Sequence, residues 1–283
     1  MASAEGTTAR MSGDSRPARA LQRATARWRA LPDFVIFGAS KSGTTSLYDY
    51  LGAHPLVVPC RAKELHYADR PHNAERGASW YRSWFPLRST LVRTGRSHGQ
   101  ERARCGEATP AYLAVSGSAG RLRAVVPDVA LVALLREPGE RAWSHYRMRA
   151  RDHADAAGFL AEIEAEAEEL VGGWVPKHDR DALRHGLLRQ GHYAEELAEW
   201  YDAFDAQQIL LVRSEDLFAD PGPTYRRVCR HLGLPEAAPP AFRIANAGRP
   251  SDLPPDARVW LDAHFAEPNA RLAELTGGTV TWP

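Results

Sequence analysis

The sequence predicts an α/β fold: a single domain of the phosphate-loop type, with a central parallel sheet flanked by helices. Three observations carry this expectation. Short apolar runs alternate with helix-spaced segments along the chain. One of these runs, ending at Phe37, passes directly into a small-residue loop bounded by Gly38 and Gly43. Another, Val129 to Leu135, ends on Arg136-Glu137-Pro138. Alternation of this kind packs helices over both faces of a parallel sheet, whose strands are buried on both sides and therefore apolar throughout.

The elements follow in order. Met1 to Ala30 is rich in Ala, Ser, Thr and Arg and reads as a flexible solvated tail that turns helical near Leu21 to Trp28, with the domain over 31–283 and ordered structure from Pro32. Asp33 to Phe37 reads as a buried strand, and Thr44 to Leu51 has helical spacing that ends at His54-Pro55. Val57-Val58 suggests a short strand, and the aromatic cluster from Trp80 to Pro86 suggests core. Ala119 to Val126 reads as a helix, Val129 to Leu135 as a strand buried on both faces, and Pro138 as the first turn of the next helix. Phe159 to Leu170 reads as an acidic helix with a solvated glutamate face. His192 to Phe204 is an amphipathic helix, Ile209 to Val212 a strand, and Thr224 to Leu232 and Asp256 to Phe265 two further helices.

Composition narrows the function. The 36 lysines and arginines against 35 aspartates and glutamates leave a net charge of +1, which argues against a nucleic-acid coat. No run of about 18 apolar residues is present, so no spanning helix is expected. The three scattered cysteines, Cys60, Cys105 and Cys229, suggest reduced thiols and a cytoplasmic enzyme.

The loop Gly38-Ala39-Ser40-Lys41-Ser42-Gly43-Thr44-Thr45 carries the chemistry. Between a strand and a helix, its free N–H groups and the helix dipole form an anion site. The glycine spacing is that of a nucleotide phosphate loop, but the lysine sits at Lys41, inside the loop, and Thr44 occupies its usual place. Arg136 ends a strand where a magnesium enzyme often carries Asp, and its planar fork suits a bare phosphate.

These segments resemble the sulfotransferases that use 3′-phosphoadenosine 5′-phosphosulfate (PAPS), most closely those acting on heparan sulfate, the glucosaminyl 3-O- and N-sulfotransferases. The resemblance rests on Lys41 to Thr45, on Lys63-Glu64-Leu65-His66-Tyr67, on Glu107 to Tyr112, and on Leu135 to Tyr146. Ser214 to Leu217, Gly248-Arg249-Pro250 and Glu267-Pro268-Asn269 follow in family order. It implies that Lys41, Ser42, Gly43, Thr44 and Thr45 hold the phosphosulfate, that Arg136 and Ser144 bind the 3′-phosphate, and that Gly248 and Arg249 close over the donor. It further implies Glu64 as general base, Lys41 stabilising the departing 5′-phosphate and no metal, with 3′,5′-adenosine bisphosphate (PAP) leaving.

His66 lies two residues beyond Glu64; on an extended segment the two would face the same way, so His66 orients Glu64 or contacts the acceptor, or is structural. Ala108 stands where the 3-O-sulfotransferases place a lysine, which disfavours a heparan-like polyanion and points to a sugar or secondary-metabolite hydroxyl. Arg61 and Lys63 are alternative sources of that charge. The rival readings are a magnesium-ATP kinase, a binding protein without chemistry, and a branch that uses a histidine base.

Overall fold

The computed structural model describes residues 16–171, 173, 174, 177, 186–238, 241–243 and 252–282. Four strands, β1 (Phe34–Gly38), β2 (Gly106–Ala108), β3 (Ala130–Leu135) and β4 (Ile209–Arg213), form one sheet in the order β2-β1-β3-β4. Every pairing is parallel; Phe34 stands opposite both Gly106 and Ala130, and Leu131 opposite Ile209. All five residues of β1 are buried, as are all but the first of β3, which explains why both read as continuous apolar runs.

The helices α1 (Arg16–Ala24) and α2 (Thr44–Gly52) flank β1 in sequence. Three short ones, α3 (Pro71–Ala74), α4 (Gly77–Arg82) and α5 (Arg88–Arg96), lead to β2, and α6 (Ser118–Arg123) leads to β3. After β3 come α7 (Pro138–Ala150), α8 (Ala156–Leu170) and α9 (Tyr193–Ala203); after β4 come α10 (Ser214–Ala219), α11 (Pro221–His231) and α12 (Pro255–Leu275). The main core surrounds the sheet, where Phe37 packs on Trp200 with ring centroids 4.1 Å apart. A second core, with Trp143, Tyr146, Phe159, Leu261 and Phe265, joins α7, α8 and α12. From β1 the chain moves outward to β2 on one side and later to β3 and β4 on the other. The crevice beyond the carboxyl ends of β1 and β3 is therefore the topological switch point, the place where open parallel sheets bind ligands.

Four expectations need correction. Packing begins before Pro32: α1 starts at Arg16, and Gln22, Ala26, Arg29 and Ala30 are buried. Arg29 Nη1 donates to the Phe85 carbonyl at 2.7 Å, which ties this segment to the domain. Val57 makes only an isolated bridge to Arg104, because Pro55 and Pro59 leave too little chain between them for a strand. The glutamate face of α8 is not wholly solvated. Glu166 accepts from the N–H groups of Leu187, Leu188 and Arg189 at 2.6, 2.9 and 2.9 Å, and Glu162 pairs with Arg149. The last helix runs ten residues beyond Phe265, through Pro268 to Leu275, since burial of Leu272 outweighs the hydrogen bond lost at the proline.

Candidate active site

The loop leaving β1 is held mainly through its backbone. Ala39 N donates to Leu134 O at 2.7 Å, and Ser214 Oγ, from the end of β4, donates to Ser42 O at 2.8 Å. Gly43 has φ of +87°, and a Cβ there would lie 2.9 Å from the Phe218 ring, so the turn requires glycine on both counts. Lys41 takes φ of +73°, an uncommon conformation for a residue with a side chain. No side chain caps the amino end of α2, which leaves its first-turn N–H groups open to an anion. Ser42 is fully buried, and its Oγ has no hydrogen-bond partner among the described residues.

A second cation reaches the same crevice from β3. Arg136 Nη1 lies 3.5 Å from Lys41 O, Nη2 donates to Glu140 Oε2 at 3.1 Å, and its carbonyl accepts from Tyr193 Oη at 2.9 Å. Desolvation, followed by the charges of Arg136 and Arg141, pushes the Lys41 ammonium below its ordinary pKa. A cation that costs this much to keep charged is poised to gain from a bound anion. Ser144, half-buried, lies one turn beyond Glu140 on the same face of α7. Gly248 and Arg249 lie outside the described residues.

The third component is the segment after α2. Glu64 is half-exposed at the loop's edge, and Lys63 links it there: Lys63 Nζ bonds Thr45 Oγ1 and lies 3.6 Å from Glu64 Oε1. His66 Nε2 is 3.7 Å from Glu64 Oε2, and His66 Nδ1 is 2.9 Å from Asp69 Oδ2, with Asp69 buried. Glu64 and His66 do share a face, but not on an extended strand: both have left-handed backbones, with φ of +58° and +52°. Glu64 N donates to Ala108 O at 3.1 Å, which fixes the segment to the end of β2.

Glu107, to which sequence reasoning assigned no role, holds this segment from beneath. It is completely buried and accepts from Tyr81 Oη at 2.5 Å, Thr109 Oγ1 at 2.6 Å and Tyr112 Oη at 2.9 Å. Tyr112 Oη in turn accepts from Tyr67 N at 2.9 Å. Desolvation raises the Glu107 pKa, and the three hydroxyl donors oppose the shift. The signal available in the sequence was an acidic residue in an otherwise apolar strand followed by two hydroxyl residues, Thr109 and Tyr112.

A phosphate-loop cradle with a lysine inside it, a strand-end arginine and a half-exposed carboxylate at the rim define a group-transfer site. Residues 32–238 match the model of the sulfotransferase family, and the chain belongs to that family. It is 29% identical to the heparan sulfate glucosamine 3-O-sulfotransferase 6 of Homo sapiens, over 90% of this chain and 74% of that protein. Identity to the 3-O-sulfotransferase 3B1 of Mus musculus is 32%, over 73% of this chain and 47% of that one. The bifunctional heparan sulfate N-deacetylase/N-sulfotransferase 4 of Mus musculus is 27% identical over 72% of this chain. The chain spans only 22–23% of the length of the bifunctional relatives it matches. Among solved structures, the sulfotransferase from Alicyclobacillus acidocaldarius superposes with a TM-score of 0.67 at 29% identity, covering 89% of this chain and 98% of that one.

Proposed function

We propose that this chain transfers a sulfuryl group from PAPS to a hydroxyl of a carbohydrate or small natural-product acceptor, with Glu64 as general base and no metal ion. The observation that carries the proposal is the bridge made by Lys63, which joins the loop at Thr45 to the carboxylate of Glu64 and so sets the base at the cradle's mouth.

The donor set suits the group. The uncapped first-turn N–H groups of α2 and the Ser42 hydroxyl, unpartnered among the described residues, match phosphate oxygens, and Arg136 with Ser144 fits a 3′-phosphate. Bound there, PAPS supplies an activated sulfuryl group and leaves as PAP. Lys41 places its ammonium where negative charge grows on the 5′-phosphate side, and thereby favours the transition state over the ground state. Glu64 takes the acceptor hydroxyl's proton, without which that oxygen is a poor nucleophile at neutral pH. His66 Nδ1 donates to Asp69, which orients the ring so that Nε2 stands 3.7 Å from Glu64 Oε2.

The acceptor side favours a small or weakly charged substrate. Ala108 is fully buried and brings no charge to the acceptor side, and Glu164, Glu168 and Glu169 remain exposed along α8 to repel a polyanion. The reading places the enzyme in the cytoplasm, in keeping with free Cys60, Cys105 and Cys229.

Calorimetry with PAP and with ADP tests the donor: PAP binds more tightly to the wild type, and the preference disappears in Arg136→Ala. Equal affinity for the two ligands in the wild type sinks the donor assignment. Mass spectrometry of products tests the acceptor; strong sulfation of heparosan with none of small glycosides overturns the acceptor class.

A further inference from the structure

We infer that Arg258, on α12, is a positioning residue that governs recognition of the donor's 3′-phosphate by sharing the carboxylate that would otherwise neutralise Arg136. The inference rests on the donor reading above. Glu140 lies between two guanidinium groups: its Oε2 accepts from Arg136 Nη2 at 3.1 Å, and its Oε1 accepts from Arg258 Nη2. Two further carboxylates near this turn are committed elsewhere: Glu137 accepts from Gly139 N and Glu140 N at 2.7 Å each, and Glu215 accepts from Glu137 N at 2.8 Å. Arg258 Nη1 stands 3.8 Å from Glu137 Oε2, so the arginine spans both acidic residues of that turn.

Arg258 is placed by packing rather than by chance. One turn further along α12, Leu261 is buried in the second core, and its Cδ1 would lie 3.3 Å from a Cβ built on Gly139. The helix that carries Arg258 is therefore seated directly on the first turn of α7.

The charge arithmetic gives the consequence. Removing Arg258 takes one positive charge from the cluster of Arg136, Glu137, Glu140 and Arg258 beside the crevice. Without it, Glu140 and Arg136 form a neutral pair, and the carboxylate is free to chelate the guanidinium with both oxygens. An incoming phosphate dianion must then compete with Glu140 for the same N–H groups. A ligand that carries only 5′-phosphates, held by the loop from β1, does not meet this competition.

The test is calorimetry on the full chain with PAP and ADP, for wild type, Arg258→Ala, Arg258→Lys and the double variant Arg258→Ala/Glu140→Gln. Because Arg258 and Glu140 are partly solvated, Arg258→Ala should weaken PAP binding by about five- to tenfold while leaving ADP binding within about twofold. Arg258→Lys should fall between wild type and Arg258→Ala, and adding Glu140→Gln to Arg258→Ala should restore PAP affinity by freeing Arg136. Unchanged PAP affinity in Arg258→Ala overturns the inference. So does equal weakening of both ligands, the mark of a merely structural role for α12, and so does failure of the double variant to recover. A wild type indifferent to the 3′-phosphate removes the donor reading and this inference together, whereas a wild type that prefers PAP, with an Arg258→Ala variant that prefers it equally, removes this inference alone.

Discussion

The loop over 38–45 and the segment over 63–69 meet where Lys63 bonds Thr45, and they are held by different means. The loop is fixed largely by main-chain groups: the β1–β3 ladder, the Ala39 N to Leu134 O bond, and the Ser42 carbonyl that accepts from Ser214. The segment belongs to no strand or helix. Apart from the Glu64 N to Ala108 O bond, it is held by side chains, through Tyr112 on Tyr67 N, Asn73 Nδ2 on His66 O at 2.9 Å, and Asp69 on the His66 ring. The loop half of the site is thus built into regular structure, and the segment that carries Glu64 hangs from a buried hydroxyl–carboxylate cluster around Glu107. Substitutions should therefore separate into those that alter donor affinity and those that alter turnover.

The largest effect should come from Glu64→Gln. Turnover is expected to fall by about 10²- to 10⁴-fold, measured as sulfated product by mass spectrometry, while PAP affinity measured by calorimetry stays put. A parallel loss of affinity would break the division between the two halves, and near-normal turnover would move the base elsewhere, with His66 the next candidate. Lys41→Ala comes next: a fall of about 100- to 1,000-fold in rate, accompanied here by weaker PAP binding, since the same ammonium serves both.

Tyr112→Phe sharpens the comparison from the other side. It removes one donor to Glu107 and leaves Tyr67 N without its acceptor, so denaturant unfolding should show a loss of about 1–3 kcal/mol. Turnover should fall with it, with the Kd for PAP unaltered in the folded fraction. A variant of full stability and full activity would show that the cluster does not support the segment.

The smallest effect is on pH dependence. The Lys41 pKa is lowered in the free protein, chiefly by desolvation, and a bound anion raises it. Affinity for PAP should therefore be complete below the free-state pKa and decline as pH rises through it, beginning below the ordinary lysine value of 10.5. In Lys41→Arg the guanidinium stays charged across this range, so its PAP affinity should show no such alkaline decline. Calorimetry across the alkaline range reads the difference, and identical profiles would show that Lys41 is not the titrating group.

What could be read from the chain alone was whatever lies close together within it. The phosphate loop, the strand before it and the Arg136-Glu137-Pro138 turn are contiguous, and strands buried on both faces leave continuous apolar runs, so the sheet's centre and the anion cradle were legible. Lys63, Glu64 and His66 were legible as a cluster for the same reason, although their left-handed backbones were not.

Everything that depended on contacts between distant segments escaped. Strand β2 is three residues long, too short for any periodicity, and exists because β1 supplies its partner. Glu107 matters through Tyr81, 26 residues away, and Arg258 through Glu140, 118 residues away. The packing of 22–30 came from Arg29 finding the Phe85 carbonyl. Local sequence thus determined the sheet's central strands and the anion loop, because backbone sterics and burial act residue by residue. Which carboxylate is buried, which is shared between two arginines and which is left half-exposed at the loop's rim was decided only when the chain closed, because desolvation and Coulomb energy depend on neighbours in space.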